Sequence, residues 1–223
     1  QPFLLTANHC FNTQASAAGL EARFSYWSTY CNSGVVNPNH IIFNGANLLA
    51  TNNDTDVTLV LLKQNTGTYY LGWDAGSVPN NTTMHSVHHP GGTLMKYQRM
   101  TNKTSPSFSC GGFSTSDFYY TKTTHGQEAP GSSGGSVVDP DGRVRGQLYG
   151  WCYLAGADRC DYDTYYNMWG RFDKSYTDNN FGFWLYNGGS SVAMSTYPGS
   201  SLYFGTVNVG SSQSYTVTVY NTG

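Results

Sequence analysis

Charge is scarce in this chain. Only 11% of its 223 residues are charged and the net charge is −2. Without a positive surplus there is no electrostatic basis for holding nucleic acid or an anionic membrane. No apolar run approaches the ~20 residues that a membrane-spanning helix needs. No Cys-x-x-Cys pair occurs, which argues against a zinc ribbon. The 5 cysteines are scattered, a usage that fits an oxidising compartment. Neither a Met nor a signal peptide precedes Gln1-Pro2-Phe3, and the chain stops at Asn221-Thr222-Gly223 within a strand-and-turn pattern. With the odd cysteine count, these features lead to the expectation of a fragment, with at least one cysteine partner outside it.

What is abundant is Tyr (18), Gly (26), Asn, Ser and Thr, a mixture that favours strands and tight turns. The length allows one large all-β domain or two smaller ones. Phe3-Leu4-Leu5 reads as a short strand, residues 20–30 as a loosely alternating one, and Val57 to Leu62 as a strongly apolar one. Tyr69 to Asp74 and Phe118 to Tyr120 read as strands with an aromatic load. Phe181 to Tyr186 is either a last strand or a short helix, and Cys152 to Cys160 could close a small disulfide loop. Asn187 to Ser191 has linker composition. After it, residues 202–210 and 214–220 alternate cleanly with period two, as the opening strands of a separate module.

The chain is organised around Gly131-Ser132-Ser133-Gly134-Gly135-Ser136. Its composition suits a flexible linker, yet Val137-Val138, the turn Asp139-Pro140-Asp141-Gly142 and the alternating Val144, Gly146 and Leu148 follow as a hairpin. A glycine-rich loop leading directly into a hairpin has a fixed position. A serine there combines an attacking oxygen with nearby backbone amides, the needs of acyl transfer.

Gly131-x-Ser133-x-Gly135 also satisfies the nucleophile-elbow pattern, which requires a following helix and a later histidine. Here a hairpin follows, and all six histidines (9, 40, 85, 88, 89 and 125) come before Ser133. An Asp-His-Ser order built on Asp56 with His85 or His88 would place the serine at a helix start, against the hairpin. The order His9, Asp56, Ser133 remains open. Asp56 lies closer than Asp54 to the Val57 strand, so it is the carboxylate drawn inside and in need of a partner. His85, His88 and His89 raise a metal reading, but no carboxylate or cysteine sits at a familiar ligand spacing. They read instead as a strand ending in a His-Pro-Gly turn, with no metal.

Thr6-Ala7-Asn8-His9-Cys10, Asp56-Val57-Thr58-Leu59 and Gly131-Ser132-Ser133-Gly134-Gly135-Ser136 resemble the three signature segments of chymotrypsin-type serine proteases. Val87-His88-His89-Pro90, Thr104-Ser105-Pro106, Glu128-Ala129-Pro130 and Val144-Arg145-Gly146-Gln147-Leu148 narrow the likeness to the bacterial secreted lysyl endopeptidase-like branch. The resemblance implies an all-β, double six-stranded β-barrel of the chymotrypsin type over residues 1–187, its first barrel incomplete in this fragment. A linker would span 188–200. Residues 201–223 resemble the start of an Ig-like β-sandwich with a Phe-Gly-x-Val-x-Val-Gly motif, a module for surface attachment or assembly.

The implied activity is a secreted serine endopeptidase acting on proteins or peptides without a cofactor. Ser133 is the implied nucleophile, His9 the general base and acid, and Asp56 the partner that orients His9; the Gly131 and Ser133 amides form the oxyanion hole. The position before the nucleophile, an aspartate that binds a new N-terminus in trypsin-like enzymes, is Ser132, so that activation route is not supported. In the family, the partner of Cys10 precedes the histidine strand. The register of Trp169-Gly170-Arg171 puts Asn167 at the base of the substrate (S1) pocket, where an acid would select lysine. Asp163 or Asp161 takes that place if the loop carries an insertion, and Tyr149 falls near the bound substrate. The rival reading is a catalytically silent relative that serves as a surface-binding or adhesion module; the intact His9, Asp56 and Ser133 argue against it.

Overall fold

The computed structural model describes residues 1–30, 33–105, 110–153, 161, 164–185, 194–197 and 218–221. Its N-terminal half is built on the apolar run Val57–Leu62, here β5. Five of its six residues are buried. It lies between β1 (Phe3–Ala7) and β4 (Ala46–Asn52), antiparallel to both. A short helix, α1 (Gln14–Ala18), is capped by the Thr13 side chain, which accepts the Ser16 N–H. With Val60, Leu62, Leu4 and Leu48 it closes a small core around Ala17 and Ala46. Strands β2 (Glu21–Phe24) and β3 (Ile41–Asn44) form a separate two-stranded sheet. Among the described residues this half is thus a three-stranded and a two-stranded sheet.

The register of β1 on β5 brings two of the sequence candidates together. Ala7 pairs with Val57, so the residues leaving β1, Asn8 and His9, come beside the residue entering β5, Asp56. The Asn8 N–H donates to the Asp56 carbonyl at 2.9 Å.

The C-terminal half closes completely. Strands β6 (Thr83–His88), β7 (Lys96–Asn102), β8 (Phe118–His125), β9 (Ser136–Val138), β10 (Val144–Tyr153) and β11 (Tyr165–Arg171) form a barrel in the order β10-β11-β8-β7-β6-β9. Closure removes the exposed edges that an open sheet would leave. Met84, Met100, Tyr119, Val137, Leu148 and Trp169 fill its interior. The β9–β10 hairpin is the one read from the sequence. Asp139 Oδ1 accepts the Asp141 and Arg143 amides at 3.0 Å each, and Gly142 takes φ +77°.

The two halves meet at Gly170. A Cβ there would collide with the Thr55 carbonyl and the Gln147 amide. Gln147 Nε2 donates to the Thr55 carbonyl at 2.7 Å, and Ser175 Oγ on α2 (Phe172–Asp178) donates to Thr55 Oγ1 at 2.8 Å. The turn carrying Asp56 is thus seated on the closed barrel.

Several expectations change. Tyr69 to Asp74 is not a strand: only Trp73 makes a bridge, to Val144, and Tyr69 is fully exposed. Local bonds hold this stretch instead, with Thr66 Oγ1 2.8 Å from Tyr70 Oη. The strand expected over 20–30 contracts to Glu21–Phe24. Cys152 does not close a loop with Cys160; it is disulfide-bonded to Cys110, 42 residues away. The alternative at Phe181 resolves to a 3₁₀ turn, Phe181–Phe183.

Residues Asn180–Gly223 form a second compact unit. In it β12 (Met194–Tyr197) pairs antiparallel with β13 (Thr218–Asn221). The first of these strands falls within the expected linker. The expected strand over 202–210, and most of that over 214–220, lie outside the described residues.

Candidate active site

Asp56 is nearly sealed from solvent and sits at φ +54°, a strained conformation for an aspartate in the turn before β5. Its carboxylate is fully used. Oδ1 accepts the His9 backbone N–H at 2.8 Å, and Oδ2 lies 2.7 Å from His9 Nδ1. One buried acid therefore fixes both the position and the orientation of a half-exposed imidazole through Nδ1, so that Nε2 is not the nitrogen it engages. The bond to Asp56, followed by one to the Cys10 side chain, raises the His9 pKa from 6.5 to about 10, against the opposing effect of burial.

Tyr149 forms the wall beside this pair. The β10–β11 register shifts between Leu148 and Gly150, and a bulge of this kind re-aims a side chain. The Tyr149 ring meets His9 edge-on, at 5.4 Å between centroids, and is backed by Phe113 at 4.7 Å and Phe118 at 5.6 Å. Cys110–Cys152 joins the same cluster from behind. Burial, and then the charge of Asp56, raises the Tyr149 pKa.

The glycine-rich loop rests against the end of β1. Gly134, at φ +79°, lies so close that a Cβ would overlap Thr6 Oγ1 and meet the Ala7 amide. The Gly134 N–H donates to the Leu148 carbonyl at 2.8 Å, and the Leu148 N–H returns a bond to Gly135 at 2.9 Å. Ser133 is partly exposed within this loop. Among the described residues, neither the Gly131 nor the Ser133 amide has a protein acceptor. Two such free N–H groups beside a hydroxyl can receive a developing oxyanion. No hydrogen bond joins Ser133 Oγ to His9 in this structure. Such contacts are commonly long without substrate and tighten in the complex.

The remaining sequence candidates are spread more widely. Asn167 is wholly buried inside the barrel, where its Nδ2 donates to Thr123 Oγ1 at 2.9 Å. Asp163 lies outside the described residues; Asp161 precedes β11 and its carbonyl accepts the Thr164 amide at 3.1 Å. Cys10 is an exposed free thiol. The three clustered histidines diverge. His85 Nδ1 meets Tyr97 Oη at 2.7 Å, His89 Nδ1 meets the Thr93 carbonyl at 2.9 Å, and His88 turns inward to Ser132.

Sequence reading missed four residues that build the site: Thr55, Gln147, Gly170 and His88. A signal for His88 was present. β6 buries Met84, Ser86 and His88 on one face, the period-two pattern of a strand, so His88 belongs with the inward Met84.

Comparison with known proteins gives the fold and the family. The structure resembles the MamO protease domain of Magnetospirillum magneticum with a TM-score of 0.51 at 10% identity, covering 79% of this chain and 82% of that one. The active form of the Rv3671c protease from M. tuberculosis superposes with a TM-score of 0.48 at 13% identity, over 79% of this chain and 67% of that one. A lysyl endopeptidase of Pseudomonas aeruginosa is 29% identical over 167 residues, 70% of this chain. The chain spans about a third of that relative's length, 36%. Residues 1–167 match the family described as lysyl endopeptidase, C-terminal domain, and it is to this family, on the fold of the chymotrypsin-like serine proteases, that the chain belongs.

Proposed function

We propose that the chain is the hydrolytic part of a secreted serine endopeptidase. The observation that carries the reading is the double hold of the buried Asp56 on His9, opposite a rigid loop that presents Ser133 and two free amides. In the proposed cycle, Ser133 Oγ attacks the scissile carbonyl carbon while His9 Nε2 takes its proton. The tetrahedral oxyanion is held by the Gly131 and Ser133 N–H groups. His9 then protonates the leaving amine, the C–N bond breaks and an acyl-enzyme remains. Water, activated by the same nitrogen, releases the acid and restores Ser133. Asp56 keeps its charge throughout and stabilises the imidazolium.

Cleavage after lysine is the specificity that the family resemblance and the name of the Pseudomonas relative support. Asn167 is neutral and buried, so the selecting carboxylate in this reading is Asp161 or Asp163, with Tyr149 beside the bound chain. Secretion is supported by the Cys110–Cys152 disulfide, which persists in oxidising compartments.

A fluorophosphonate probe tests the reaction class. Labelling of the full chain is expected, and Ser133→Ala is expected to abolish it; labelling that survives the substitution would sink the reading. Cleavage-site profiling on a peptide mixture tests specificity. Loss of cleavage after lysine in Asp161→Asn or Asp163→Asn, with Asn167→Asp adding nothing, is the outcome expected.

A further inference from the structure

The histidine-rich turn after β6 has a task that neither the hydrolytic cycle nor a metal accounts for. His88 and Ser132 are both buried, and His88 Nδ1 lies 2.8 Å from Ser132 Oγ. Ser132 is the residue between the two free amides, and it is held on every side. Its N–H donates to the Ala129 carbonyl at 2.9 Å, its carbonyl accepts the Gly135 N–H at 3.0 Å, and its hydroxyl accepts the Ala129 N–H at 3.3 Å. The turn following His88 adds two more contacts. The Gly91 N–H donates to the Pro130 carbonyl at 2.7 Å, and Gly131, at φ +98°, lies so close to Gly92 that a Cβ would stand 2.8 Å from its nitrogen.

We propose that His88 is a positioning residue for the hydrolytic site. Its ring draws the Ser132 side chain into the barrel, so the flanking Gly131 and Ser133 N–H groups point outward to the oxyanion position. This rests on the protease reading above and extends it. The pair is neutral and is set by the closed barrel, since His88 ends β6 and Ser132 lies in the loop that leads into β9. Oxyanion geometry is then built in by folding and calls for no charged partner. Burial supports this by lowering the His88 pKa to about 4, so the ring is uncharged over the neutral range. In the proposed arrangement Ser132 Oγ, which accepts the Ala129 N–H, donates its own proton to Nδ1, and the ring proton sits on Nε2. That nitrogen lies toward Gln98, whose Nε2 donates to Thr123 Oγ1 at 2.9 Å, and among the described residues neither His88 Nε2 nor Gln98 Oε1 has a hydrogen-bond partner.

The test uses the full chain with Ser132→Ala, His88→Gln and His88→Asn. Asn places a polar atom where Nδ1 was; Gln places one nearer Nε2 and leaves Ser132 unmet. Disturbing one oxyanion donor costs roughly 100- to 1000-fold in rate, so a partial misalignment in Ser132→Ala and His88→Gln should lower kcat about 10- to 100-fold. KM should stay within about twofold, affinity for a peptide aldehyde should fall in parallel with kcat, and His88→Asn should recover most of the loss. Amide hydrogen exchange over residues 128–135, read by mass spectrometry, should quicken in the two damaging variants only. Nitrogen-15 NMR should find His88 protonated on Nε2. Unchanged kcat and unchanged exchange in both Ser132→Ala and His88→Gln overturn the proposal, as does a loss confined to KM. A wild-type chain inert to the fluorophosphonate probe overturns the protease reading instead, and the exchange measurement then decides the loop anchor by itself.

Discussion

The Asp56 carboxylate meets His9 at two points, 2.8 Å to its backbone nitrogen and 2.7 Å to Nδ1 of its ring. The first bond ties the end of β1 to the start of β5, and the second orients the imidazole. Asp56→Asn keeps the shape but exchanges an acceptor for a donor at one of these positions. Asn can still accept one N–H, so the ring either loses its partner or adopts the other tautomer. The expected result is a fall in kcat of roughly 1000- to 10,000-fold, the size seen when an aspartate in this role becomes an asparagine. Stopped-flow acylation with an active ester separates this loss from any change in binding.

The pH dependence follows from the same pair. In the proposed cycle His9 must be neutral to accept the Ser133 proton, and its pKa is raised from 6.5 to about 10. The neutral fraction therefore grows by about tenfold per pH unit through the range below that value. kcat/KM should climb from pH 7 toward an alkaline plateau, and Cys10→Ala, which removes the second cause, should move the plateau to lower pH. The stability contribution has the opposite sense. A raised pKa makes the His9–Asp56 pair fully stabilising below pH 6.5 and progressively less so as pH rises through about 10. A rate that is flat between pH 7 and 9 contradicts this account.

Much of the site was legible because its parts are local. Ser133 lies between glycines ahead of a hairpin whose Asp-Pro-Asp-Gly turn is itself a signal. Asp56 stands at the mouth of an apolar strand, where a buried charge must be met. What escaped notice depends on the closing of the barrel. Ser132 meets His88 across 44 residues, and nothing in the Gly-Ser run indicates which strand the hydroxyl will face. Cys110–Cys152 is one of ten pairings open to five cysteines. Tyr69 to Asp74 has the composition of a strand but pairs only through the bridge of Trp73 to Val144, and composition alone carries no information about neighbours. In the sequence Gly170 serves only to set the register of Asn167, and its contact with Thr55 and Gln147 comes from packing across the two halves.

Gly170 therefore provides a test of how the two halves are coupled. A methyl group there meets the Thr55 carbonyl and the Gln147 amide, both of which help to seat the Asp56 turn. Gly170→Ala should cost about 1–3 kcal/mol, as overpacking of a filled core does, and should also lower kcat by moving Asp56. Gly150→Ala is the control, since nothing lies within 4 Å of the added carbon. It should fall within about 0.5 kcal/mol of the parent. Urea denaturation measures both.

The disulfide should matter to stability before it matters to chemistry. Cys110–Cys152 closes a loop of 42 residues, for which chain entropy gives about 4 kcal/mol. Paired replacement by serine should lower the urea midpoint accordingly. Fluorophosphonate labelling should persist wherever the variant is still folded, because neither sulfur touches His9 or Ser133.

Tyr149 links that disulfide cluster to His9, the base of the proposed cycle. Its ring lies between Phe113 and the edge of His9, so it restrains the imidazole and forms one side of the proposed substrate channel. Tyr149→Phe keeps the ring and should leave kcat/KM within about twofold, since burial and the Asp56 charge already keep the phenol protonated. Tyr149→Ala removes an aromatic contact of about 0.5–1.5 kcal/mol and opens the wall to water, for an expected drop of about 5- to 10-fold in kcat/KM. The division of that drop identifies the contact that matters. A loss in kcat with KM unchanged indicates that Tyr149 acts on His9. A loss in KM, with a broadened residue preference at the cleavage site, indicates that it acts on the substrate. Equal activity in the Ala and Phe variants removes Tyr149 from the site altogether.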